Sequence, residues 1–139
     1  KGEVDEIQED DSNALGSEEQ EEVVISHIVL FRPRPSLTLD QRHTLVAALR
    51  RAVDGIPQIR RATIGKRLLL NRAGYEKQMA EHYEYSAILE FDSEKDLRAY
   101  LDHPAHDELG KLLFTSAESV LAYDFTNVAP QDIAKLIDM

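Results

Sequence analysis

The chain contains no cysteine, and this absence excludes a disulfide framework, a thiolate metal site and a cysteine nucleophile. Its six glycines are scattered without a Gly-x-Gly, so it lacks the glycine-rich loop with which many enzymes hold a phosphate. A Gly-x-Ser-x-Gly elbow is also missing, which argues against an α/β-hydrolase. No apolar run approaches the roughly twenty residues that span a bilayer. These absences predict a cytoplasmic protein with no membrane partner and no bound nucleotide.

The net charge of −10 is concentrated at the N-terminus. Residues 1–22 hold ten acidic residues against Lys1 alone, whereas residues 23–139 hold sixteen acids and fifteen bases. The first segment has too few apolar residues to offset its ordering entropy, so we predict a flexible acidic tail over residues 1–22. The alternative is an acidic peptide that docks on a basic partner or a neighbouring subunit. A nearly neutral body argues against nucleic-acid binding, which requires a concentrated positive surface.

Beyond residue 22, apolar patterns predict alternating strands and helices. The run from Val23 to Phe31 is β-branched and apolar on both faces, as in a strand that is covered on both sides. Helical spacing follows between Thr38, a predicted N-cap, and Gly55, a predicted stop. The remaining predicted elements are a strand over 59–68, a polar loop over 71–81, a strand over 83–91, a short helix capped by Ser93, a helix from Pro104 to Ser116 and a strand over 120–125.

This order predicts an α+β fold with the ferredoxin-like split βαβ arrangement, in which one face of a four-stranded antiparallel sheet carries the helices. We assign residues 23–128 to this domain and residues 129–139 to a C-terminal helical extension. The extension is predicted to pack on the domain or across a dimer, because so short a helix is not stable alone. Because the first strand is apolar on both faces, we expect the open sheet face to meet a second copy and form a homodimer.

Two histidines mark the start of the last predicted helix, in the run His103-Pro104-Ala105-His106. Partial positive charge at a helix N-terminus favours a neutral imidazole, which could accept a proton, although Asp107 and Glu108 favour the charged form. The structural alternative is that His103 caps the helix and His106 makes a buried polar contact. A metal site has less support, because His-x-x-His lacks a third ligand. We therefore predict no metal and no cofactor.

The sequence resembles the stress-responsive α/β-barrel domain family, often called Dabb, over roughly residues 25–127. The resemblance rests on these segments: His27 to Phe31, Gly55-Ile56-Pro57, Gly65, Tyr83, Phe91-Asp92-Ser93, Tyr100 to His106, and Tyr123-Asp124-Phe125. It implies a dimeric α/β barrel in which two four-stranded sheets pack together. Many members of this family have no known reaction.

The resemblance to a plant branch of the family, the polyketide cyclases, implies a candidate site. It would consist of His106 as general base, His27 to orient the substrate or a water, and Tyr100 to hydrogen-bond a carbonyl. The chain departs from those cyclases at Leu49, where they carry a pocket tyrosine, and in the longer polar loop over 69–81. We expect a homodimer that binds a small apolar or acidic ligand. The alternatives are a cofactor-free polyketide cyclase or lyase that uses the histidine pair and, with less support, a haem or quinone monooxygenase.

Overall fold

The computed structural model describes residues 24–139, and the predicted acidic tail of residues 1–22 lies outside the described residues. The elements follow the predicted order. They are β1 (Val24–Pro33), α1 (Leu39–Gly55), β2 (Arg61–Lys66), β3 (Tyr85–Phe91), α2 (Glu94–Asp102), α3 (Pro104–Ser116) and β4 (Ala117–Asn127). A 3-10 turn at Glu76–Gln78 interrupts the long loop between β2 and β3.

The four strands form one antiparallel sheet in the order β2-β3-β1-β4. In the centre of the sheet, Ile28 of β1 lies opposite Ile88 of β3, and Thr63 of β2 lies opposite the same Ile88. Each strand–helix–strand unit therefore has a strand of the other unit inserted between its own two strands. This is the ferredoxin-like split βαβ arrangement that the sequence predicts.

The three helices begin where their capping residues predict. Thr38 accepts a hydrogen bond from the Gln41 backbone, and the Gln41 side chain accepts one from the Thr38 backbone, which forms a complete capping box. Ser93 caps α2 through the Asp96 backbone. α1 ends at Gly55, as predicted, but Gly55 does not enter the left-handed region, and the chain turns extended at Ile56. The predicted glycine stop therefore works without left-handed backbone.

The core lies between the helices and one face of the sheet. Ile25, Leu89 and Phe91 from the sheet pack against a helix layer that contributes small side chains from α1 and larger ones from α2 and α3: Ala48, Ala52, Leu97, Tyr100 and Leu109. Alanine at two positions on α1 lets this helix approach the sheet closely. Phe91 and Ile56 are the largest fully buried side chains among the described residues.

The C-terminal extension differs from the predicted helix. Residues Pro130–Asp138 form a 3-10 segment that is interrupted at Asp132, whose backbone is not helical. The chain divides into two compact units, one of residues 25–125 and another that includes residues 126–139. The domain boundaries near residues 22 and 128 stay predictions, as does the packing of the extension.

Candidate functional site

A cavity of about 600 Å³ opens between the helices and the sheet within residues 25–125. Its walls are mostly apolar, with aliphatic and aromatic side chains from β1, β3, α1 and α3, among them Val29, Phe31, Leu45, Leu49, Leu89 and Leu113. This size and character suit a small organic molecule. Leu49, for which the resemblance to the cyclases implied a departure from a tyrosine, lies in this wall and leaves that part of the cavity apolar.

Strand alternation places His27 in the cavity. Ile25, His27 and Phe31 of β1 are buried on the face that carries the helices, and His27 lies opposite Leu89 in the register with β3. The ring of His27 is almost wholly buried yet lines the cavity. A buried imidazole among aliphatic side chains needs a polar partner, because an unpaired buried polar group destabilises the fold.

Asp124 of β4 is that partner. Nδ1 of His27 lies 2.6 Å from Oδ1 of Asp124, a contact that joins residues 97 positions apart in the chain. A carboxylate only accepts, so Nδ1 of His27 donates the proton in this contact. From the sequence, Asp124 was named only as part of the run Tyr123-Asp124-Phe125 and had no predicted role. The signal that could have found it is a charged residue inside the otherwise apolar strand predicted over 120–125.

Tyr100 lies between the two predicted histidines. Its ring meets His27 edge-on with centroids 5.5 Å apart, and it meets His106 edge-on at 4.7 Å. α2 supplies Tyr100, and α3 supplies His106, which lies in the first turn of the helix that begins at Pro104. All three predicted residues therefore meet at one place and line the same cavity. Tyr100 also belongs to the core cluster, so it is both a core residue and a residue of the cavity wall.

The site favours a neutral His106. Burial of the ring, followed by repulsion from positive charge on His27, lowers the pKa of His106 below its usual value. Asp107 and the Leu101 backbone act in the opposite direction and are outweighed. Glu108 does not contribute, because Arg51 holds its carboxylate in a two-point ion pair. Nδ1 of His106 is buried and makes no hydrogen bond within the described residues.

Tyr100 is also held in its neutral form. Burial, with a smaller contribution from the negative charge of Asp124, raises the pKa of Tyr100 to about 12. The phenol therefore keeps its proton at neutral pH and can donate a hydrogen bond to a ligand oxygen. The site thus combines a hydrogen-bond donor with a neutral imidazole, both set in an apolar cavity.

The other histidines lie outside this arrangement. His103 caps α3, and its Nδ1 accepts a hydrogen bond from the Ala105 backbone, as the structural alternative for this residue proposed. His43 and His82 are exposed. Within residues 24–139, no group of three or more His, Cys, Asp or Glu side chains is arranged to hold a metal ion. In the same range, no helix is both long and apolar enough to cross a membrane.

The family model of the stress responsive A/B barrel domain (Dabb) matches residues 25–127. The chain belongs to the Dabb family. This match spans β1 to β4 and includes all four residues of the His27, Asp124, Tyr100 and His106 site. No curated protein sequence matches the chain at a significant level.

Solved structures share the fold of this Dabb chain. A dimeric ferredoxin-like protein of unknown function from Thermobifida fusca is 28% identical with a TM-score of 0.60, over 76% of this chain and 92% of that one. Hydroxynitrile lyase from Passiflora edulis is 18% identical with a TM-score of 0.65, over 76% and 94%. A Dabb family protein from Mesorhizobium loti is 15% identical with a TM-score of 0.60, over 78% and 100%. The last two similarities concern the fold alone.

Proposed function

We propose that this Dabb protein is a homodimer that binds a small, mostly apolar ligand in the cavity. The observation that carries the proposal is the cavity itself: an apolar wall with Tyr100 and His106 gathered at one place. Apolar walls with a few convergent polar groups are typical of sites that bind and orient small organic molecules. A cytoplasmic location stays a prediction.

The open face of the sheet supports the homodimer. Strand alternation sends Ile28 and Leu30 of β1 to the face away from the cavity, and it sends Tyr123 and Phe125 of β4 to the same face. In the single chain, Tyr123 is 58% exposed and Phe125 is 49% exposed. Large apolar side chains clustered on one face mark an interaction surface. The relative from Thermobifida fusca is described as dimeric.

Gly110 offers a direct test of ligand binding. It lies in α3 on the cavity wall, and a Cβ added there meets no atom within 4 Å. Gly110→Phe should therefore fill the cavity without disturbing the core. We expect native mass spectrometry of the protein as purified to show a dimer with roughly a few hundred daltons of added mass, and we expect Gly110→Phe to lose that mass.

Two controls accompany this test. Gly110→Ala adds only a methyl group and should keep the ligand, while α3 becomes more stable by about 0.5 to 1 kcal/mol. Gly55→Phe adds the same bulk in open space at the end of α1, outside the cavity wall, and should also keep the ligand. A bare dimer of the wild-type protein, or added mass that persists in Gly110→Phe, would contradict the proposal.

A second candidate function is cofactor-free carbon–carbon bond chemistry, as a lyase or a polyketide cyclase. The observation that favours it is the pairing of a neutral His106 with His27, whose ring Asp124 fixes through Nδ1. A neutral imidazole can act as a general base at physiological pH. Tyr100 would donate a hydrogen bond to the developing carbonyl oxygen, and His27 would orient the substrate.

For a cyanohydrin, this chemistry balances without a cofactor. His106 takes the hydroxyl proton. As the O–H electron pair forms the carbonyl double bond, the bond to the cyano carbon breaks, and its electron pair leaves on cyanide, which takes the proton back from His106. The products are an aldehyde and hydrogen cyanide, and the imidazole returns to its neutral form.

Mandelonitrile is a suitable probe, because its cleavage releases benzaldehyde. The second candidate predicts that the wild-type protein accelerates this release and that His106→Ala abolishes the acceleration while the far-UV circular dichroism is unchanged. His43→Ala, an exposed histidine on α1, is the matched control and should match the wild type. Equal rates with and without the wild-type protein would remove the lyase candidate and leave the binding proposal intact.

A further inference from the structure

One cation stands out on the cavity wall. Arg42 lies near the start of α1 and is half-buried, and its side chain makes no hydrogen bond or ion pair with any residue of 24–139. Several other arginines are paired with acids: Arg51 pairs with Glu108, for example, and Arg98 with Glu94. A partly desolvated guanidinium without an anion is costly, so an anion that entered the cavity would relieve that cost.

The placement of Arg42 does not serve the helix. Cations are unfavourable near a helix N-terminus, where the backbone already carries partial positive charge. That partial charge adds to the charge of Arg42, so this end of the cavity attracts anions. The features of α1 that stabilise the helix are elsewhere, in the Thr38 capping box and the packing of Ala48 and Ala52.

Arg42 is continuous with the apolar wall. Arg42, Leu45, Val46 and Leu49 follow the i, i+3, i+4, i+7 spacing of one helix face, and all four line the cavity. Further along α1, Ala48 and Ala52 belong to the same core cluster as Tyr100. With a rise of about 1.5 Å per residue, the level of Arg42 lies about 9 to 15 Å from the level of Ala48 and Ala52. An apolar face of α1 thus extends from Arg42 along the cavity wall, and the core cluster beyond it includes Tyr100.

We infer that Arg42 binds the anionic group of an amphipathic ligand, whose apolar body lies along Leu45, Val46 and Leu49 and whose far end reaches Tyr100 and His106. The ligand class is a carboxylic acid with an apolar body of medium length. This inference rests on the proposed ligand-binding function and adds the feature that selects among ligands. A neutral compound of the same shape would fill the cavity but leave the guanidinium without a partner.

Isothermal titration of decanoate and decanol tests the inference, because the two probes share a chain and differ in charge. In a phosphate-free buffer, the wild-type protein should bind decanoate more tightly than decanol. Arg42→Gln should weaken decanoate by about 10- to 100-fold, as expected for a charge-assisted hydrogen bond, and should leave decanol unchanged. Arg42→Lys keeps the charge and should restore part of the affinity. Arg50→Gln, on the same helix but outside the cavity wall, should match the wild type.

The outcomes separate the inference from the function on which it rests. If the wild-type protein binds both probes equally, or Arg42→Gln weakens both equally, Arg42 does not select anions and the inference is wrong, whereas ligand binding stands. If neither probe binds the wild-type protein, both the inference and ligand binding of this class are wrong. Binding that persists in Gly110→Phe would place the probe outside the cavity and would contradict the inference as well.

Discussion

At the scale of single residues, burial keeps two side chains of the site uncharged, and it does so by shifting their pKa values in opposite directions. An apolar environment disfavours charge, so it lowers the pKa of His106 and raises the pKa of Tyr100. Both groups are therefore uncharged at neutral pH, even though two histidines and an aspartate lie within one small region. Among residues 24–139, Arg42 is the one lining residue of the cavity with a fixed charge, and the carboxylate of Asp124 pairs with His27.

Tyr100 should ionise at a higher pH than an exposed tyrosine in an alkaline titration. Because its pKa is raised to about 12, tyrosinate absorbance should show a late phase that Tyr100→Phe removes, whereas Tyr75→Phe, an exposed tyrosine, should leave it. The unfolded chain loses this proton near pH 10, so folding stability falls as pH rises from about 10 to about 12, by roughly 2 to 3 kcal/mol. A late phase that survives in Tyr100→Phe would contradict the assignment.

His106 should make the protein sensitive to acid. Its pKa is lowered in the folded state, so below the ordinary value of 6.5 the unfolded chain binds a proton that folded His106 does not. The free energy of unfolding should therefore fall as the pH drops from about 7.5 to about 5, and less so in His106→Gln. Urea unfolding at the two pH values measures this difference. His43→Gln should follow the wild type; an unchanged pH dependence in His106→Gln would show that burial does not suppress its protonation.

The sequence predicted which three side chains line the site, and it left out two that matter. His27, Tyr100 and His106 could be named because the family resemblance implies them, and for His106 the position at the start of a helix points the same way. Asp124 could not be paired with His27, because that pairing depends on the relative position of two strands 97 residues apart. Arg42 had no local signal at all: only the assembled cavity distinguishes it from a surface arginine.

At the scale of elements, helix starts were predictable because a cap is a contact between close neighbours in sequence. Thr38, Ser93 and His103 each bond to a backbone N–H two or three residues further on. The end of the chain shows the limit of such reasoning. Over the nine residues of Pro130–Asp138, the periods of a 3-10 helix and an α-helix differ by too little to be separated, and the interruption at Asp132 has no sequence signal.

The capping box of α1 can be tested with two threonines of the same helix region. Thr38→Ala removes the acceptor for the Gln41 backbone and should lower the free energy of unfolding by about 1 kcal/mol. Thr44 donates instead to the Asp40 carbonyl within the helix. Thr44→Ala should be neutral or stabilising by about 0.5 kcal/mol, since alanine is the better helix former. Equal losses in the two variants, measured by thermal or urea unfolding, would contradict a specific role for the cap.

At the scale of the whole molecule, the sheet is used on both faces. One face forms the core and the cavity, and the other carries the apolar side chains of β1 and β4 to the proposed dimer contact. That both faces of the sheet would be covered could be predicted from β1 alone, because its side chains are apolar on both faces. The volume of the cavity was not predictable, because it depends on how far α1 and α3 stand from the sheet.

The dimer contact can be tested at positions that the single chain does not bury. Tyr123→Lys combined with Phe125→Lys places charge on the open face of the sheet. In a two-fold interface each substitution occurs twice, once from each subunit, so its destabilising effect on the dimer is doubled. We expect this variant to be a folded monomer in light scattering after size-exclusion chromatography, at a micromolar concentration where we expect the wild type to be a dimer. Leu39→Lys changes another exposed apolar residue, at the start of α1; it is the control and should remain dimeric. A variant that stays dimeric would exclude this face from the interface.

The apolar side chains on both faces of β1 also have a consequence during synthesis of the chain. From Val23 to Phe31 the chain has no acidic or basic residue other than His27, and such uncharged β-branched segments associate readily when unpaired. The partners of β1 on β3 lie 54 to 66 residues later in the chain. At a synthesis rate of about 5 to 20 residues per second, roughly 3 to 13 s therefore pass between the synthesis of β1 and that of β3, which pairs with its edge. The ten acidic residues just upstream give every nascent chain the same negative charge during that interval, and flanking charge of this kind opposes association between unfinished copies.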